Sequence, residues 1–363
     1  MIIKLNVISW TNPDLVARVR RLWFKRDMGI YRLILALCVL YSHAFGAVFG
    51  KNIGVVAVIS FFVMSGYVMA LLVRKYYPEL IDIPSFYADR AFRIFPHYLF
   101  YVFAVMALAS QWGVVGLSEV APWQVASNLV IVPLNLYTLF PEAIYDPPSW
   151  SLGLELTFYL AFPFVVLAGR RWQHVIFTAS VAVAVMAFLG MLDSNYGGYR
   201  LLPGTLIFFL SGAALATPER IDPRYPVIVI GLAALGLAAT LGSDRLYAMP
   251  YDFEVTVGAL IGITAVATLR KLPAVNVDRI AGDLSYGLFL SHFPMIFVAD
   301  TFGLERWPFV PVAAMMSAII SYTLIERPVL ALRHRFRQGA HRRPNASWRE
   351  NQVRIAADGR EHG

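Results

Sequence analysis

The sequence has few charged residues and a single cysteine. Charged residues fill 15% of the 363 positions and hydrophobic residues fill 58%, whereas soluble domains average about 25% and about 45–50%. This composition excludes an ordinary soluble globular protein. The lone Cys38 excludes an intrachain disulfide and a cysteine-based metal site. No metal-ligand spacing is present either, so we expect no bound metal.

The N-terminal segment lacks the order of a cleaved signal peptide. Its basic residues follow the first apolar stretch, and no small-residue cleavage site is present. We therefore interpret the first spanning helix as an uncleaved signal anchor. No internal repeat, low-complexity tract or second folded domain is evident, so any chemistry is expected within the membrane part.

Long apolar windows recur along the chain. A helix that crosses a hydrocarbon core about 30 Å thick needs about 20 mostly apolar residues. Ten such windows lie near 30–49, 53–73, 95–113, 148–169, 174–192, 200–217, 226–242, 250–269, 283–300 and 308–330. They predict an all-α polytopic membrane protein with about ten transmembrane helices. The apolar stretch 125–140 is short and contains Pro133, which favours an interfacial or re-entrant segment.

Basic residues are distributed unevenly between the predicted loops. If the N-terminus is cytoplasmic, the inner loops and the C-terminal tail hold most of the 31 Lys and Arg residues. The outer side keeps Lys51, Arg200, Arg245 and Arg306. The positive-inside rule then predicts two cytoplasmic termini. It also explains the net charge of +8 without a nucleic-acid partner.

These patterns divide the chain into three parts. Residues 1–28 are predicted to be a basic cytoplasmic segment, and residues 29–332 the transmembrane domain. Residues 333–363 form an Arg-rich cytoplasmic tail, whose composition predicts disorder or contact with anionic headgroups.

Two polar residues lie on one face of the first apolar helix. Arg32 and His43 are eleven positions apart, almost three turns, so they share a face roughly 16 Å apart along the axis. An arginine at the centre of a spanning helix costs on the order of 2.5–3.5 kcal/mol, which makes it a functional hypothesis by default. Cys38 lies about 140° around the helix from His43, a poor geometry for a Cys–His pair. We interpret Cys38 as a small apolar filler.

Two further segments carry polar residues at helical spacing. Arg90 and Arg93 project together from the first inner loop. Their guanidinium groups could bind phosphate, although simple positive-inside anchoring explains them too. Ser151, Glu155 and Tyr159 form a polar ridge on the fourth helix. Glu155 is a functional candidate or a structural partner of a buried hydroxyl or arginine, and Trp150 is expected in an interfacial aromatic belt.

Three more features have ordinary structural explanations. Ser285 and His292 share a face of the ninth helix, where a lone intramembrane histidine is more often a satisfied core group than a catalyst. Ser65 and Gly66 predict close helix packing. Glu326 precedes an arginine at the inner end of the last helix, where a capping ion pair is expected.

In combination these residues resemble one family. The order is Arg-x10-His, Phe-Phe-x-x-Ser-Gly, Arg-x-x-Arg-Ile-x-Pro-x-Tyr, Trp-Ser-Leu-x-x-Glu-x-x-Phe-Tyr, Ser-Tyr-x-Leu-x-Leu-x-His and Ile-Glu-Arg-Pro. This order resembles the membrane-bound acyltransferase-3 family over residues 28–332. The resemblance implies a bacterial inner-membrane protein of the stand-alone type that O-acylates a saccharide such as O-antigen, exopolysaccharide or a lipo-oligosaccharide.

The resemblance also implies roles for matching residues. It makes Arg32 and His43 the essential pair and Arg90 with Arg93 the acyl-CoA-side motif. The other matching positions are Ser65, Trp150, Ser151, Glu155, Phe158, Tyr159, Ser285, Tyr286 and His292. Two positions depart from the family pattern, since Ile59 stands where an acidic residue is common and Phe289 replaces the usual tyrosine.

Two classes of function follow as hypotheses. In an enzyme, His43 acts as general base or transient acyl acceptor, because an imidazole with an ordinary pKa of about 6.5 keeps a neutral fraction near neutral pH. Arg32 contacts the acyl-CoA donor, most commonly acetyl-CoA, and Glu155 orients the acceptor or the imidazole. No permanently bound cofactor is expected. The alternative is a proton-coupled transporter or flippase of a glycan or glycolipid, which predicts inverted repeats that the sequence lacks.

Overall fold

The computed structural model describes residues 28–112, 121–273 and 275–333. Within these ranges the secondary structure is helical, with one isolated β-bridge between Val48 and Lys51. The α-helices are α1 (Gly29–Phe45), α2 (Ile53–Tyr76), α3 (Ile83–Trp112), α4 (Pro122–Val130), α5 (Ser149–Leu167), α6 (Arg170–Phe188), α7 (Leu202–Ala216), α8 (Tyr225–Leu241), α9 (Asp244–Ala248), α10 (Asp252–Leu269), α11 (Asn276–Thr301) and α12 (Arg306–Ser321). π-Helical turns cover Ser194–Arg200 and Tyr322–Glu326.

A helix lies in each of the ten apolar windows. Seven helical segments of the described chain are long and apolar enough to cross a membrane: Ile53–Tyr76, Leu80–Trp112, Ser149–Leu167, Arg170–Phe188, Ser194–Ala216, Asp252–Leu269 and Arg306–Arg333. The apolar helices α1 and α8 are shorter, and α11 is long but more polar. An all-helical membrane protein is thus confirmed. Ten spans and two cytoplasmic termini stay predictions, and the basic terminal segments lie outside the described residues.

The stretch 125–140 is not a continuous spanning helix. Helix α4 has nine residues, about 13 Å of rise, and ends where Ile131 adopts a φ of 67°. A short 3₁₀ turn, Val132–Leu136, follows and packs against α5. A Cβ atom on Gly153 would lie 2.7 Å from the carbonyl oxygen of Ile131, so this contact requires glycine.

Helix α2 lies at the centre of the bundle and packs against α1, α7 and α10. Its crossing with α7 is unusually close on both sides. A Cβ atom on Gly66 would lie 1.9 Å from the carbonyl oxygen of Phe209, and one on Gly212 would lie 1.8 Å from that of Val63. The close approach predicted for the Ser65–Gly66 pair is confirmed, because only glycine allows the two backbones to meet this way.

Helix α1 is held between α2 and α11. At its start the Asp278 carboxylate accepts a hydrogen bond of 2.8 Å from the Ile30 amide. Helix α2 runs antiparallel to α1, so Met64 lies beside Arg32 and Gly54 lies beside Ser42. We call the level of the bundle at Arg32 the inner level and that at His43 the outer level, after the orientation predicted from the basic residues.

Candidate active site

His43 on α1 faces His292 on α11 at the outer level. The Nδ1 atom of His43 lies 2.8 Å from the Nε2 atom of His292. The rings stack with 5.1 Å between their centroids, and Phe293 packs edge-on against His43. His292 is fully buried, as expected of a core histidine. It is nevertheless the direct partner of His43, which is more than the sequence predicted.

The surroundings of His292 indicate which nitrogen of His43 is available. The Nδ1 atom of His292 has no partner with strict hydrogen-bond geometry, but the carbonyl groups of Leu288 and Phe289 lie near enough to act as weak acceptors. We therefore assign the proton of His292 to Nδ1. Its Nε2 atom then accepts a hydrogen bond from Nδ1 of His43, and Nε2 of His43 is left unprotonated as a base.

A cavity of about 130 Å³ opens beside His43. Four water molecules would fill such a space at about 30 Å³ each. Its walls come from α1, α2, α5, α11 and the loops before α2, α5, α7 and α10. The lining residues that carry polar groups are His43, Asn52, Tyr137, Trp150, Ser151, Tyr199, Arg200 and Tyr251. The cavity is thus large enough for a short acyl group beside an attacking hydroxyl.

Arg200 is the main residue of this cavity that the sequence did not predict. It ends the π-helical turn before α7, and its side chain is 9% exposed. The guanidinium carbon lies 4.8 Å from the ring centroid of Tyr137, 5.0 Å from that of Trp150, 5.2 Å from that of Tyr199 and 5.7 Å from that of Tyr251. The sequence assigned Arg200 to an outer loop. The tyrosines beside it in Tyr-Gly-Gly-Tyr-Arg are the signal that could have identified an aromatic enclosure.

Trp150 lies in the cavity wall, so its assignment to an interfacial aromatic belt is wrong. It is 7% exposed and meets Tyr199 edge-on, with 4.9 Å between ring centroids. The cation of Arg200 and the neighbouring rings bury the indole more favourably than a lipid headgroup region would. Ser151, the next residue, also lines the cavity and donates to the Pro148 carbonyl oxygen at 3.0 Å.

A polar network closes the cavity near the start of α2. Ser42 donates to the side-chain oxygen of Asn52 at 2.5 Å, and the same oxygen accepts from the Val55 amide at 3.2 Å as the cap of α2. The backbone amide of Asn52 donates to the Glu254 carboxylate at 2.9 Å. These bonds fix the end of α1 that carries His43 relative to α2 and α10.

Three arginines gather at the inner level. Arg32 donates to the sulfur atom of Met64 at 3.2 Å. Arg93 lies within electrostatic range of both Arg32 and Arg90. A cluster of three guanidinium groups favours the binding of an anion. Of these three arginines only Arg32 is on α1, the helix that carries His43. That Arg32 and His43 share a face of α1 stays a prediction.

Arg90 and Arg93 both have carboxylate partners. Arg90 is 7% exposed and pairs with Asp89, which also lies 3.4 Å from Arg333. Arg93 pairs with Glu326. The two arginines are therefore largely neutralised within the bundle, whereas a phosphate-binding motif was predicted to face an inner opening.

Glu326 does not form the predicted capping pair with Arg327. It is 3% exposed and pairs with Arg93 and, at 3.0 Å, with Nδ1 of His97. The Nε2 atom of His97 lies 2.8 Å from the Ser321 hydroxyl, which lies 2.8 Å from that of Tyr101. The π-helical turn at Tyr322–Glu326 rotates Glu326 inward, a distortion that ordinary helical spacing does not predict.

Glu155 belongs to the inner level. Its carboxylate accepts from Ser65 at 2.6 Å and from Tyr159, and the Ser65 and Tyr159 hydroxyls are 3.3 Å apart. The predicted polar ridge on α5 is confirmed for Glu155 and Tyr159. The suggestion that Glu155 orients the imidazole is wrong, because the hydrogen-bond partner of His43 is His292.

The remaining residues of the family motifs have mixed surroundings. Ser285 donates to the Gly282 carbonyl oxygen of its own helix at 2.8 Å and takes no part in the cavity. Tyr286 donates to the Ile94 carbonyl oxygen at 3.2 Å, and its ring centroid lies 5.3 Å from the Arg93 guanidinium. Phe289 lines the cavity, while Ile59 is fully buried.

These features define a helical membrane protein with a histidine-centred cavity among its helices. The family model Acyl_transf_3, described as an acyltransferase domain, matches residues 27–326. The chain therefore belongs to the acyltransferase-3 family, and it is an acyltransferase.

Curated relatives extend over most of the chain. Nodulation protein 10 of Rhizobium leguminosarum bv. viciae is 27% identical over 354 residues, which cover 85% of this chain and 94% of that protein. Exopolysaccharide production protein ExoZ of Rhizobium meliloti is 26% identical, and the aligned residues cover 81% of this chain and 93% of that protein. O-acetyltransferase OatA of Staphylococcus aureus is 24% identical, and the aligned residues cover 76% of this chain and 52% of that protein. No solved structure matches the chain.

Proposed function

We propose that the protein is an O-acetyltransferase of the bacterial inner membrane. It takes the acetyl group from cytoplasmic acetyl-CoA and transfers it to a hydroxyl of a cell-surface or secreted saccharide. The observation that carries this proposal is the cavity at His43, where a base paired with His292 faces a space of acyl size. The similarity to an exopolysaccharide production protein and to an O-acetyltransferase supports the choice of acceptor and acyl group.

The position of His43 at the cavity supports acyl transfer to a hydroxyl. The acceptor oxygen attacks the thioester carbon while Nε2 of His43 takes the hydroxyl proton. The carbon–sulfur bond then breaks, the sulfur leaves with its electron pair, and the proton passes from His43 to the thiolate. A two-step route, in which His43 accepts the acyl group before the saccharide arrives, uses the same cavity.

Arg32 is the strongest candidate to bind the donor at the inner level. Arg32 donates a hydrogen bond to the weak acceptor Met64, while Arg90 and Arg93 pair with carboxylates. Because Arg32 lies near the predicted cytoplasmic end of α1, its guanidinium suits the phosphate or pantetheine part of coenzyme A. Arg90 and Arg93 add positive potential around it.

Transfer of label tests the proposal directly. The assay uses membranes of the source organism that lack the native gene product. The expressed protein and [¹⁴C]acetyl-CoA are added, and label in the glycan fraction is counted. The wild-type protein should label the glycan, and His43→Ala should not. Cys38→Ala is the matched control on the same helix, because Cys38 does not line the cavity and should leave labelling unchanged.

The same assay separates the enzyme from a carrier. A transporter or flippase would move glycan across the membrane without labelling it, and His43→Ala would then stop movement rather than acetylation. Equal labelling by wild-type protein and His43→Ala at equal abundance would contradict the catalytic role of His43.

A further inference from the structure

Arg200 is a buried cation without a carboxylate partner. Other buried or half-buried arginines of the inner level pair with Asp89 or Glu326. No aspartate or glutamate of the described chain lies within ion-pair distance of Arg200. Its Nε and Nη1 atoms are buried and have no hydrogen-bond partner. Burial of an uncompensated guanidinium is costly, so this arrangement requires a reason.

The surrounding structure holds the guanidinium group in one place. Rings of Tyr137, Trp150, Tyr199 and Tyr251 enclose it, and Tyr251 also interacts with it through a hydroxyl. The backbone behind it is tightly packed, because a Cβ atom on Gly204 would lie 1.5 Å from the carbonyl oxygen of Gly197. Asp193 caps the same turn by accepting from the Asn195 amide at 2.8 Å. Arg200 is thus pre-organised rather than mobile.

Arg200 and His43 line the same cavity and lie within electrostatic range of each other. One cavity of acyl size is thus lined by a general base and an unpaired guanidinium. These two groups provide two of the functions of acyl transfer. One function removes the proton of the attacking hydroxyl. The other binds the charge that develops on the carbonyl oxygen.

We propose that Arg200 binds the carbonyl oxygen of the transferred acyl group and stabilises the oxyanion. This proposal rests on the proposed acyltransferase function. When the hydroxyl oxygen bonds to the carbonyl carbon, the π electron pair moves to the carbonyl oxygen, which accepts hydrogen bonds from Arg200 while His43 holds the proton. When that electron pair re-forms the carbonyl double bond, the carbon–sulfur bond breaks, and the thiolate takes the proton from His43. Arg200 is then a catalytic residue, because it contacts a reacting atom.

The test compares Arg200→Met and Arg200→Lys with wild-type protein in nanodiscs. Initial rates are measured with [¹⁴C]acetyl-CoA and glycan extracted from the source organism, over a range of each concentration. Binding of coenzyme A itself is measured by calorimetry. Arg224→Met is the matched control, because Arg224 is 73% exposed and pairs with Asp222 outside the cavity.

We expect Arg200→Met to lower kcat by about 10²-fold to 10³-fold, as loss of one oxyanion donor does elsewhere. KM for acetyl-CoA and the affinity for coenzyme A should change by less than about twofold, because the donor binds at the inner level. Arg200→Lys should have a kcat between those of the wild-type protein and Arg200→Met. Lysine retains the positive charge but lacks the planar guanidinium with its fixed N–H donors. Arg224→Met should match the wild-type protein.

Three outcomes would overturn the inference. The first is a wild-type kcat in folded Arg200→Met. The second is a loss confined to KM for the glycan, which would mean that Arg200 binds an acidic group of the acceptor. The third is an equal loss in Arg200→Met and Arg200→Lys together with weaker coenzyme A binding, which would indicate a structural role. Failure of the wild-type protein to transfer label would instead contradict the proposed function.

Discussion

The imidazole rings of His43 and His292 meet through a hydrogen bond of 2.8 Å between Nδ1 and Nε2, although 249 positions separate them in the chain. The contact joins the C-terminal turn of α1 to the middle of α11. It holds His43 at the wall of the cavity. We therefore expect His292 to position His43 for its proposed role as base, much as a carboxylate orients histidine in other acyl-transfer sites.

The first prediction concerns His292. Replacement by Ala removes the acceptor of the His43 Nδ1–H group, and an unmade buried hydrogen bond costs about 1–3 kcal/mol. We expect His292→Ala to lower kcat about tenfold to 100-fold, and His292→Gln to recover part of the loss, because its amide oxygen can accept. The rates are measured in the [¹⁴C]acetyl-CoA assay across pH 5–9.

His174→Gln is the control for this pair, because His174 is half-exposed and lies at the cavity of Asp222 and Tyr225. A role limited to packing would lower kcat and leave the shape of the pH profile unaltered. An altered profile in His292→Gln together with a wild-type profile in His174→Gln supports the positioning role. Unchanged kcat in His292→Ala would refute it.

The second prediction concerns the donor. Arg32 lacks the carboxylate partners of Arg90 and Arg93, so its charge is more available to coenzyme A. We expect Arg32→Gln to raise KM for acetyl-CoA about tenfold, the effect of roughly 1.4 kcal/mol of lost binding. Arg90→Ala should raise it less, because Asp89 already neutralises that guanidinium. If Arg32→Gln has the wild-type KM for acetyl-CoA, Arg32 does not bind the donor and its role is structural.

Much of the fold follows from periodicity and length. Apolar windows predict the positions of the helices, and helical periodicity predicts which residues share a face. The same reasoning predicts the contact between Glu155 and Tyr159 at a spacing of four. These inferences succeed because they depend on geometry within one helix.

Contacts between distant segments are harder to predict. Periodicity gives the face of a helix but not the partner that covers it, so His292 was not identified as the partner of His43. Arg200 and Glu326 lie in π-helical turns, where the spacing of an ordinary helix fails. The neighbouring tyrosines hint at an aromatic enclosure of Arg200, but periodicity does not bring Tyr137, Trp150 and Tyr251 from distant segments to the same side chain.

The third prediction concerns the buried ion pair at the inner level. Glu326→Gln leaves Arg93 without its carboxylate and replaces the charged acceptor of His97 by a neutral amide. Breaking such a pair costs about 3–5 kcal/mol, so the thermal unfolding midpoint in detergent should fall sharply. The double variant Arg93→Met with Glu326→Gln should unfold closer to the wild-type temperature, since it buries no unpaired guanidinium. If both variants unfold at the wild-type temperature, the pair contributes nothing to stability.

The fourth prediction tests the crossing of α2 and α7. A single methyl group on Gly66 would lie 1.9 Å from the carbonyl oxygen of Phe209, and a backbone atom cannot move aside as a flexible side chain can. We expect Gly66→Ala to destabilise at or above the upper end of the usual range for overpacking, about 1–3 kcal/mol. Less of this variant should elute as a monodisperse species from size-exclusion chromatography in mild detergent.

Gly231→Ala provides the same substitution in another apolar helix, α8, where a Cβ atom would have no neighbour within 4 Å. This variant should elute like the wild-type protein and keep its transferase activity. Because both changes add one methyl group to an apolar helix, a difference between them reports the helix crossing and not helix propensity or hydrophobicity. Equal elution of the two variants would show that α2 and α7 do not approach as closely as Gly66 and Gly212 indicate.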